Sequence, residues 1–359
     1  MARRQSNPQG TLVGDLPRRL LAWYDRHGRD LPWRAKSGRR SDPYRVWLSE
    51  IMLQQTMVAT VGPYYLDFLK RWPTVHDLAA AGLDEVLHAW QGLGYYARAR
   101  NLHRCAQAVS RNHGGRFPGT EPDLRQLPGI GPYTAAAVAA IAFDRPATTM
   151  DGNVERVMAR LFGVATPLPK AKPELFRRAR SLTPSARPAD YAQAIMDLGA
   201  TVCLPRNPRC QSCPWSSGCL ARQRGTQDKL PARLPKPVRP MRYGVVFWTT
   251  RSDGAVLLRR RPERGLLGGL MELPSTEWRD RPWRAGEGLA AAPVAADWRA
   301  LDGVVRHGFT HFELSLSLVV GRTKGRGAKP GIWCPVDRLS DHALPTLMKK
   351  VVRHVLANP

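Results

Sequence analysis

The chain has 359 residues, enough for two domains that each bury a core. Its 55 basic against 29 acidic residues give a formal net charge of +26, for which a polyanion is the natural partner, the alternative being a basic chain from an arginine-rich proteome that binds none. No apolar run reaches the length of a membrane span and residues 1–15 lack the apolar core of a secretion signal, so a soluble, cytoplasmic protein with no membrane partner is expected.

In chain order, residues 12–27 put Leu16, Leu20 and Trp23 on one face of an amphipathic helix that stops at Gly28. Arg29-Asp30-Leu31-Pro32-Trp33-Arg34 follows as a loop mixing charge with a large aromatic. Ser41-Asp42-Pro43 is a helix start, with a capping carboxylate before a proline whose fixed φ suits the first turn, and the spacing predicts a helix over 44–58. Within it Glu50 is flanked by Trp47, Leu48, Ile51, Met52 and Leu53. Apolar surroundings disfavour the charged carboxylate, raise its pKa and let it act as a general acid near neutral pH. A helix-edge glutamate paired with Arg45 is the plainer alternative. Gln54 and Gln55, polar but uncharged, suit contact with an opened base stack.

Residues 63–112 continue as short helices, interrupted by Gly92-Leu93-Gly94-Tyr95-Tyr96, whose tyrosines suit either a core or a wedge into a duplex. Arg98, Arg100 and Arg104 come next and supply charge for a phosphodiester backbone. Leu127-Pro128-Gly129-Ile130-Gly131-Pro132-Tyr133-Thr134 is a glycine turn feeding an Ala-rich helix. Gly129 and Gly131 permit positive φ and close approach, and the helix N-terminus aims free N–H groups outward as a phosphate seat. A plain helix–turn–helix corner would look similar. Asp151 follows, then a helix over 153–163 and helices within 173–202.

Cys203, Cys210, Cys213 and Cys219 are spaced C-x6-C-x2-C-x5-C, a pattern that reads as a metal site in a reducing compartment. Four thiolates suit tetrahedral zinc or a [4Fe–4S] cluster. Cys105 and Cys334 fall outside the pattern and read as buried thiols. Residues 222–241 form a basic, proline-stiffened linker with Arg222, Arg224, Lys229, Arg233, Lys236 and Arg239 against Asp228 alone. Beyond it the apolar period changes to two, predicting strands at 243–250, 255–261 and 312–320 and a last helix near 345–356.

Taken together, the stretch from Ser49 to Thr56, the Gly92–Tyr96 turn, the 127–134 hairpin, Asp151-Gly152-Asn153 and the four cysteines resemble the MutY family of adenine DNA glycosylases, within the helix-hairpin-helix superfamily. The resemblance implies a multidomain fold: an all-α glycosylase domain over 1–221 with an iron–sulfur loop at 203–219, the linker, and an α+β Nudix-like domain over 242–359. It implies excision of adenine mispaired with 8-oxoguanine or guanine, flipped from double-stranded DNA because the stack hides the bond to be cut. The enzyme would act as a monomer on the nucleoid of a bacterium. Glu50 resembles the acid that protonates adenine, Asp151 the carboxylate that stabilises the sugar cation, and Tyr133 and Asn153 supporting positions. Arg29, Leu31, Trp33 and Gln193 match the adenine pocket, while Gln55 and Tyr95 match contacts where the stack is opened. The cysteine spacing implies [4Fe–4S] over zinc.

Tyr133 stands where endonuclease III relatives carry a lysine, so no Schiff base and no strand cleavage are expected. Glu155 stands where some relatives have a lysine, and as a solvated helix charge it would mean little. Gly265 to Pro274 resembles a Nudix domain, but Ser275-Thr276-Glu277-Trp278-Arg279-Asp280 lacks the acidic cluster that holds Mg²⁺, so diphosphate hydrolysis is not expected. Phe309-Thr310-His311 resembles the family loop that recognises 8-oxoguanine. The alternative activity is that of an endonuclease III-type glycosylase and lyase on oxidised pyrimidines.

Overall fold

The computed structural model describes residues 8–35, 41–235, 238–263, 265–284, 286–324 and 331–358, so Lys236 of the predicted linker lies outside the described residues. The chain divides into two compact units, one formed by the residues up to Ala80 with Asn101–Pro235, the other by Ala81–Arg100 with the residues after Pro235.

The first unit is helical. Its elements are α1 (Pro8–His27), α2 (Pro43–Leu53), α3 (Val58–Arg71) and α4 (Val75–Ala80), and, after α5 (Leu83–Ala89) of the second unit, α6 (Ala97–Asn112) from Asn101 onward, its first turn belonging to the second unit. It continues with α7 (Glu121–Leu124), α8 (Pro132–Phe143), α9 (Gly152–Leu161), α10 (Lys172–Leu182), α11 (Pro188–Asp197) and α12 (Leu220–Gln223). α1 buries Leu16, Leu20 and Trp23 against α10 and α11, as its apolar stripe predicts. At the start of α2 the Asp42 carboxylate accepts from the Arg45 amide at 3.1 Å and Pro43 takes the first helical position. α2 ends at Leu53, short of the predicted 58, because Gln54 leaves helical geometry (ψ 112°) and Gln55 turns left-handed (φ 57°). α8 runs through the centre of the unit, packed on α2, α7 and α11, with Thr134 to Ala140 all buried. Its alanines carry no side-chain entropy cost and let neighbouring backbones come close.

The turn before α8 departs from its expected form. Gly129 takes φ 77° and a Cβ there would sit 2.6 Å from Asn101 Cβ, so conformation and space both require glycine. Gly131 has φ −86° and caps α8 in ordinary extended geometry, with open space where a Cβ would be. Residues 222–235, read as linker, pack on the helical unit instead: Leu168 N–H donates to the Ala232 carbonyl at 2.9 Å, Arg160 Nε to the Leu230 carbonyl at 3.0 Å, and Leu230 is buried.

The second unit is a mixed sheet with the strands β1 (Met241–Arg251), β2 (Val256–Arg260), β3 (Met271–Glu272), β4 (Asp297–Gly308), β5 (Glu313–Thr323) and β6 (Ile332–Cys334), followed by helix α13 (Thr346–Ala357). The order is β3-β2-β1-β5-β4, with β6 beside β2, and among the described residues β1–β5 is the one parallel strand pair. β1 is buried from Gly244 to Thr249 without alternation, as befits a central strand beside a parallel neighbour. β4, absent from the predicted strands, is an edge strand of mostly exposed residues that buries Leu301 and Val305. Ala81–Arg100 joins this unit through paired Asp84 and Arg260 at 2.7 Å, Gln91 Nε2 donating to the His342 carbonyl at 3.0 Å, and Arg100 donating to the Gly268 carbonyl. Between β3 and β4 the described residues hold only a short 3-10 turn at Gly288–Ala291, and no acidic helix.

Candidate active site

Glu50 sits in the middle of α2 with 5% of its surface exposed. Burial first, and the Asp151 charge after it, raise its carboxyl against the opposing pull of the Tyr133 phenol and the Arg34 charge, so that it stands pushed up to about 7 from an ordinary 4.5. Oxygen Oε2 is buried with no hydrogen-bond partner. A carboxyl half-protonated at neutral pH, with one oxygen unengaged, is equipped to give and take a proton. The alternative pairing with Arg45 is not formed. Tyr133, the second residue of α8, donates its hydroxyl to Met196 Sδ at 3.7 Å, and burial beside the two carboxylates raises its own pKa well above 10.

Asp151 caps α9, accepting from the Val154 amide at 2.7 Å through Oδ1 and from Asn153 Nδ2 at 2.9 Å through Oδ2. Asn153 Oδ1 in turn accepts from Arg156 Nη2 at 2.9 Å. The same guanidinium holds the Gly199 carbonyl at 2.7 Å and the Cys203 carbonyl at 2.7 Å. Gly199 lies in a π turn, Leu198–Val202, where a Cβ would meet Asn153 Cβ at 2.7 Å. Asp151 is therefore oriented by a chain of hydrogen bonds that reaches the first residue of the cysteine loop. Glu155 is not a solvated charge: it is buried and paired with Lys172 at 2.9 Å.

The loop after α1 is pinned by Asp197, whose side chain is fully buried at the end of α11. Asp197 accepts from the Arg29 amide at 3.0 Å and Arg29 Nε at 2.6 Å, and takes a two-pronged bond from Arg34 at 2.7 Å on each oxygen. Burial opposes its charge, but Arg34 and Arg29 outweigh that and hold the carboxyl below the usual range. Trp33 is buried with its ring edge-on to Tyr65 at 5.6 Å, and Leu31 is half-buried. Gln193, one turn before Asp197, is half-buried and bonds the Ala189 carbonyl at 3.2 Å.

The residues expected to touch DNA divide. Gln54 ties α2 to α8 through Thr134 Oγ1 at 3.1 Å, whereas Gln55 is exposed on its left-handed turn. Of the two tyrosines, Tyr96 is buried and Tyr95 is 52% exposed. Tyr95 hydroxyl lies 3.3 Å from Thr310 Oγ1. Thr310 and His311 are exposed at the β4–β5 turn, but the Phe309 ring is committed to an aromatic cluster, 5.6 Å from Trp278, 4.8 Å from Phe312 and 4.7 Å from His307. Arg98 and Arg100, expected on phosphates, turn inward to the Leu93 and Gly268 carbonyls, and Arg104 alone of the three is exposed, bonded to Asn101 at 3.1 Å.

Cys203, Cys210, Cys213 and Cys219 together line one cavity with Arg160, Val202, Pro208 and Arg222. Arg160, 2% exposed, crosses the loop to Cys203 Sγ at 3.4 Å, the Leu204 carbonyl at 2.6 Å and the Pro205 carbonyl at 3.0 Å. Burial pushes the Cys213 thiol up to about 12 and raises Cys210 and Cys219, so a cation must displace their protons. Among the described residues no three His, Cys, Asp or Glu converge as they would on a single ion.

Sequence reasoning missed Asp197, Arg34, Arg156 and Arg160 as parts of the site. Their only sequence signal is unusual company, charges set among apolar neighbours such as Ile195, Met196 and Leu198.

Comparison with known proteins agrees with this geometry. Residues 48–184 match the family of HhH-GPD superfamily base excision DNA repair proteins, and 245–354 match the NUDIX domain. Adenine DNA glycosylase of Homo sapiens is 38% identical over 397 residues, covering 93% of this chain and 72% of that protein. Adenine DNA glycosylase of Buchnera aphidicola subsp. Schizaphis graminum is 30% identical, covering 93% and 96%. The solved structure of a thermostable thymine-DNA glycosylase aligns with a TM-score of 0.55 at 29% identity, over 61% of this chain and 100% of that one. On sequence and on both domain matches, the chain belongs to the adenine DNA glycosylase family.

Proposed function

We propose that the protein hydrolyses the N-glycosidic bond of adenine mispaired with 8-oxoguanine or guanine, without cleaving the strand. The observation that carries this is Glu50, buried, pushed up to about 7, and close enough to Asp151 to feel its charge. With adenine flipped from the duplex, the Glu50 proton passes to N7 of the base and the bonding pair of the C1′–N9 bond leaves with adenine. Asp151, held by Val154 N–H and Asn153, supplies negative charge against the oxocarbenium-like sugar. Water then attacks C1′ and the Glu50 carboxylate takes its proton, which restores the acid. Tyr133 offers a phenol that cannot form the Schiff base on which strand scission depends. The loop from Arg29 to Arg34, fixed on Asp197, with Gln193 forms the adenine pocket, and Gln55 and Tyr95 enter the opened stack. Thr310 and His311 read the base opposite, with a hydroxyl and an imidazole for its edge, while Phe309 anchors their turn.

The four cysteines bind a [4Fe–4S] cluster in this reading. Four thiols lining one cavity, at the spacing that resembles the family's cluster loop, support this reading. Cys203, Cys210, Cys213 and Cys219 would hold the cluster and so cross-link residues 203–219, which Arg156 and Arg160 of α9 already grip through Cys203 and the Leu204 carbonyl. Metal analysis tests it: about four irons per chain are expected, and zinc in their place would refute it.

The activity test uses duplexes with 8-oxoguanine·adenine, guanine·adenine or thymine glycol, analysed with and without alkali. Alkali-dependent breaks at the two adenines support the proposal. Breaks at thymine glycol without alkali would establish the endonuclease III-type activity instead.

A further inference from the structure

The Gly92–Tyr96 turn shows how an exposed aromatic is held ready. Gly92 (φ 106°), Gly94 (φ 68°) and Tyr95 (φ 47°) all take left-handed backbone, which a bulky residue adopts only where its surroundings dictate it. Trp90, fully buried, donates its indole N–H to the Gly94 carbonyl at 3.0 Å. Arg98 Nη2 donates to the Leu93 carbonyl at 2.7 Å and the Gly94 carbonyl at 3.3 Å. The same guanidinium lies 5.2 Å from the centre of the Trp90 ring and 5.7 Å from that of Tyr95. Tyr95 is nonetheless more than half exposed.

We infer that Arg98 is a positioning residue for Tyr95: its Nη2 amino group bridges the two carbonyls before the tyrosine while its guanidinium face, supported by Trp90, holds the ring in the outward pose in which it enters DNA. A side chain immobilised before binding loses less freedom on binding, so the staple appears as affinity for the lesion duplex. Arg98 thus works through a ring and two carbonyls, and not as a phosphate contact. Lysine could keep the charge and a donor for the carbonyls, but not the flat guanidinium face set against the Trp90 and Tyr95 rings. The inference rests on the proposal that Tyr95 enters the opened stack.

The test is equilibrium binding, over a range of salt, to a duplex carrying 8-oxoguanine opposite a non-hydrolysable adenosine analogue. The proteins are the full chain, Arg98→Met, Arg98→Lys, Tyr95→Leu and Tyr95→Leu with Arg98→Met. Arg98→Met should weaken binding about tenfold with the slope of log affinity against log salt unchanged, and Arg98→Lys should behave alike. In the Tyr95→Leu background the loss should shrink to about twofold or less, because the residue through which Arg98 acts has gone. The proposal is overturned if the two losses multiply, if Arg98→Lys binds as the parent does, or if the slope falls by about 0.9, the mark of one lost phosphate contact. Should Tyr95→Leu alone leave affinity unchanged, the assignment of Tyr95 itself fails and the staple with it. Thermal unfolding of each variant separates misfolding from these outcomes, and Arg98→Lys still decides the matter if Arg98→Met does not fold.

Discussion

The protonation of Glu50 makes a quantitative claim about pH. With a carboxyl pushed up to about 7, the acid form is about nine-tenths populated at pH 6 and about one-tenth at pH 8, so single-turnover adenine excision should fall about tenfold between them. An ordinary carboxyl near 4.5 would lose about a hundredfold over the same range, with no plateau at the acid end. The neighbours fix the direction in which variants move this limb. Arg34 pulls the Glu50 pKa down, so Arg34→Met should shift the limb to higher pH; Asp151 pushes it up, so Asp151→Asn should shift the residual activity to lower pH. The assay is single-turnover excision from an 8-oxoguanine·adenine duplex, quenched in alkali, with enzyme in excess so that product release does not intrude. A wild-type rate flat from pH 6 to 8, or a limb that neither substitution moves, would refute the general-acid assignment.

The same shift has a cost in stability. Because the folded-state pKa lies above the unfolded one, the folded protein binds more protons between about pH 4.5 and 7 and stability falls as pH rises through that window; Glu50→Gln should therefore stabilise the helical unit by about 2–3 kcal/mol more at pH 8 than at pH 5, measured by urea unfolding, while abolishing excision. Gly199→Ala forces its Cβ onto Asn153 and should cost about 1–3 kcal/mol together with a lower excision rate; an unchanged rate would show that Asn153 does not orient Asp151. Tyr133→Lys places an amine beside Glu50 and should yield borohydride-trapped protein–DNA adducts that the parent does not give. Thr310→Ala with His311→Ala should lower the preference for 8-oxoguanine·adenine over guanine·adenine about tenfold, read as the ratio of excision rates at one salt concentration. This variant is cleaner than removing residues 242–359, which would strip Ala81–Arg100 of its ties to Arg260 and Gly268.

What the sequence revealed, and where it stopped, follows from the range of the interactions involved. Glu50 was legible because its burial is written in its immediate neighbours, and the start of α2 because Asp42 and Pro43 act locally. The end of α2 was not, since Gln54 and Gln55 have helix-compatible propensities and the turn is set by the tie to Thr134, 80 residues on. Asp197 and Arg34 are separated by 163 residues, and nothing near either announces the pair. Arg98 and Arg100 read as surface charge because composition cannot show that guanidinium groups bury against rings and carbonyls. β4 was missed for the opposite reason: an edge strand needs few apolar residues, and Leu301 and Val305 suffice. The adenine-pocket and lesion-loop positions came from family resemblance, not from any physical signal in their own stretches.

The central claim is that this chain releases adenine by hydrolysis and leaves the strand intact, and the product itself decides it. Incubating the protein with an 8-oxoguanine·adenine duplex should release free adenine, identified by chromatography, in a one-to-one ratio with alkali-labile sites in unbroken strands. Glu50→Gln should release none above background. Release of an oxidised pyrimidine from other duplexes with adenine left untouched, or strands already cut before alkali, would contradict the account.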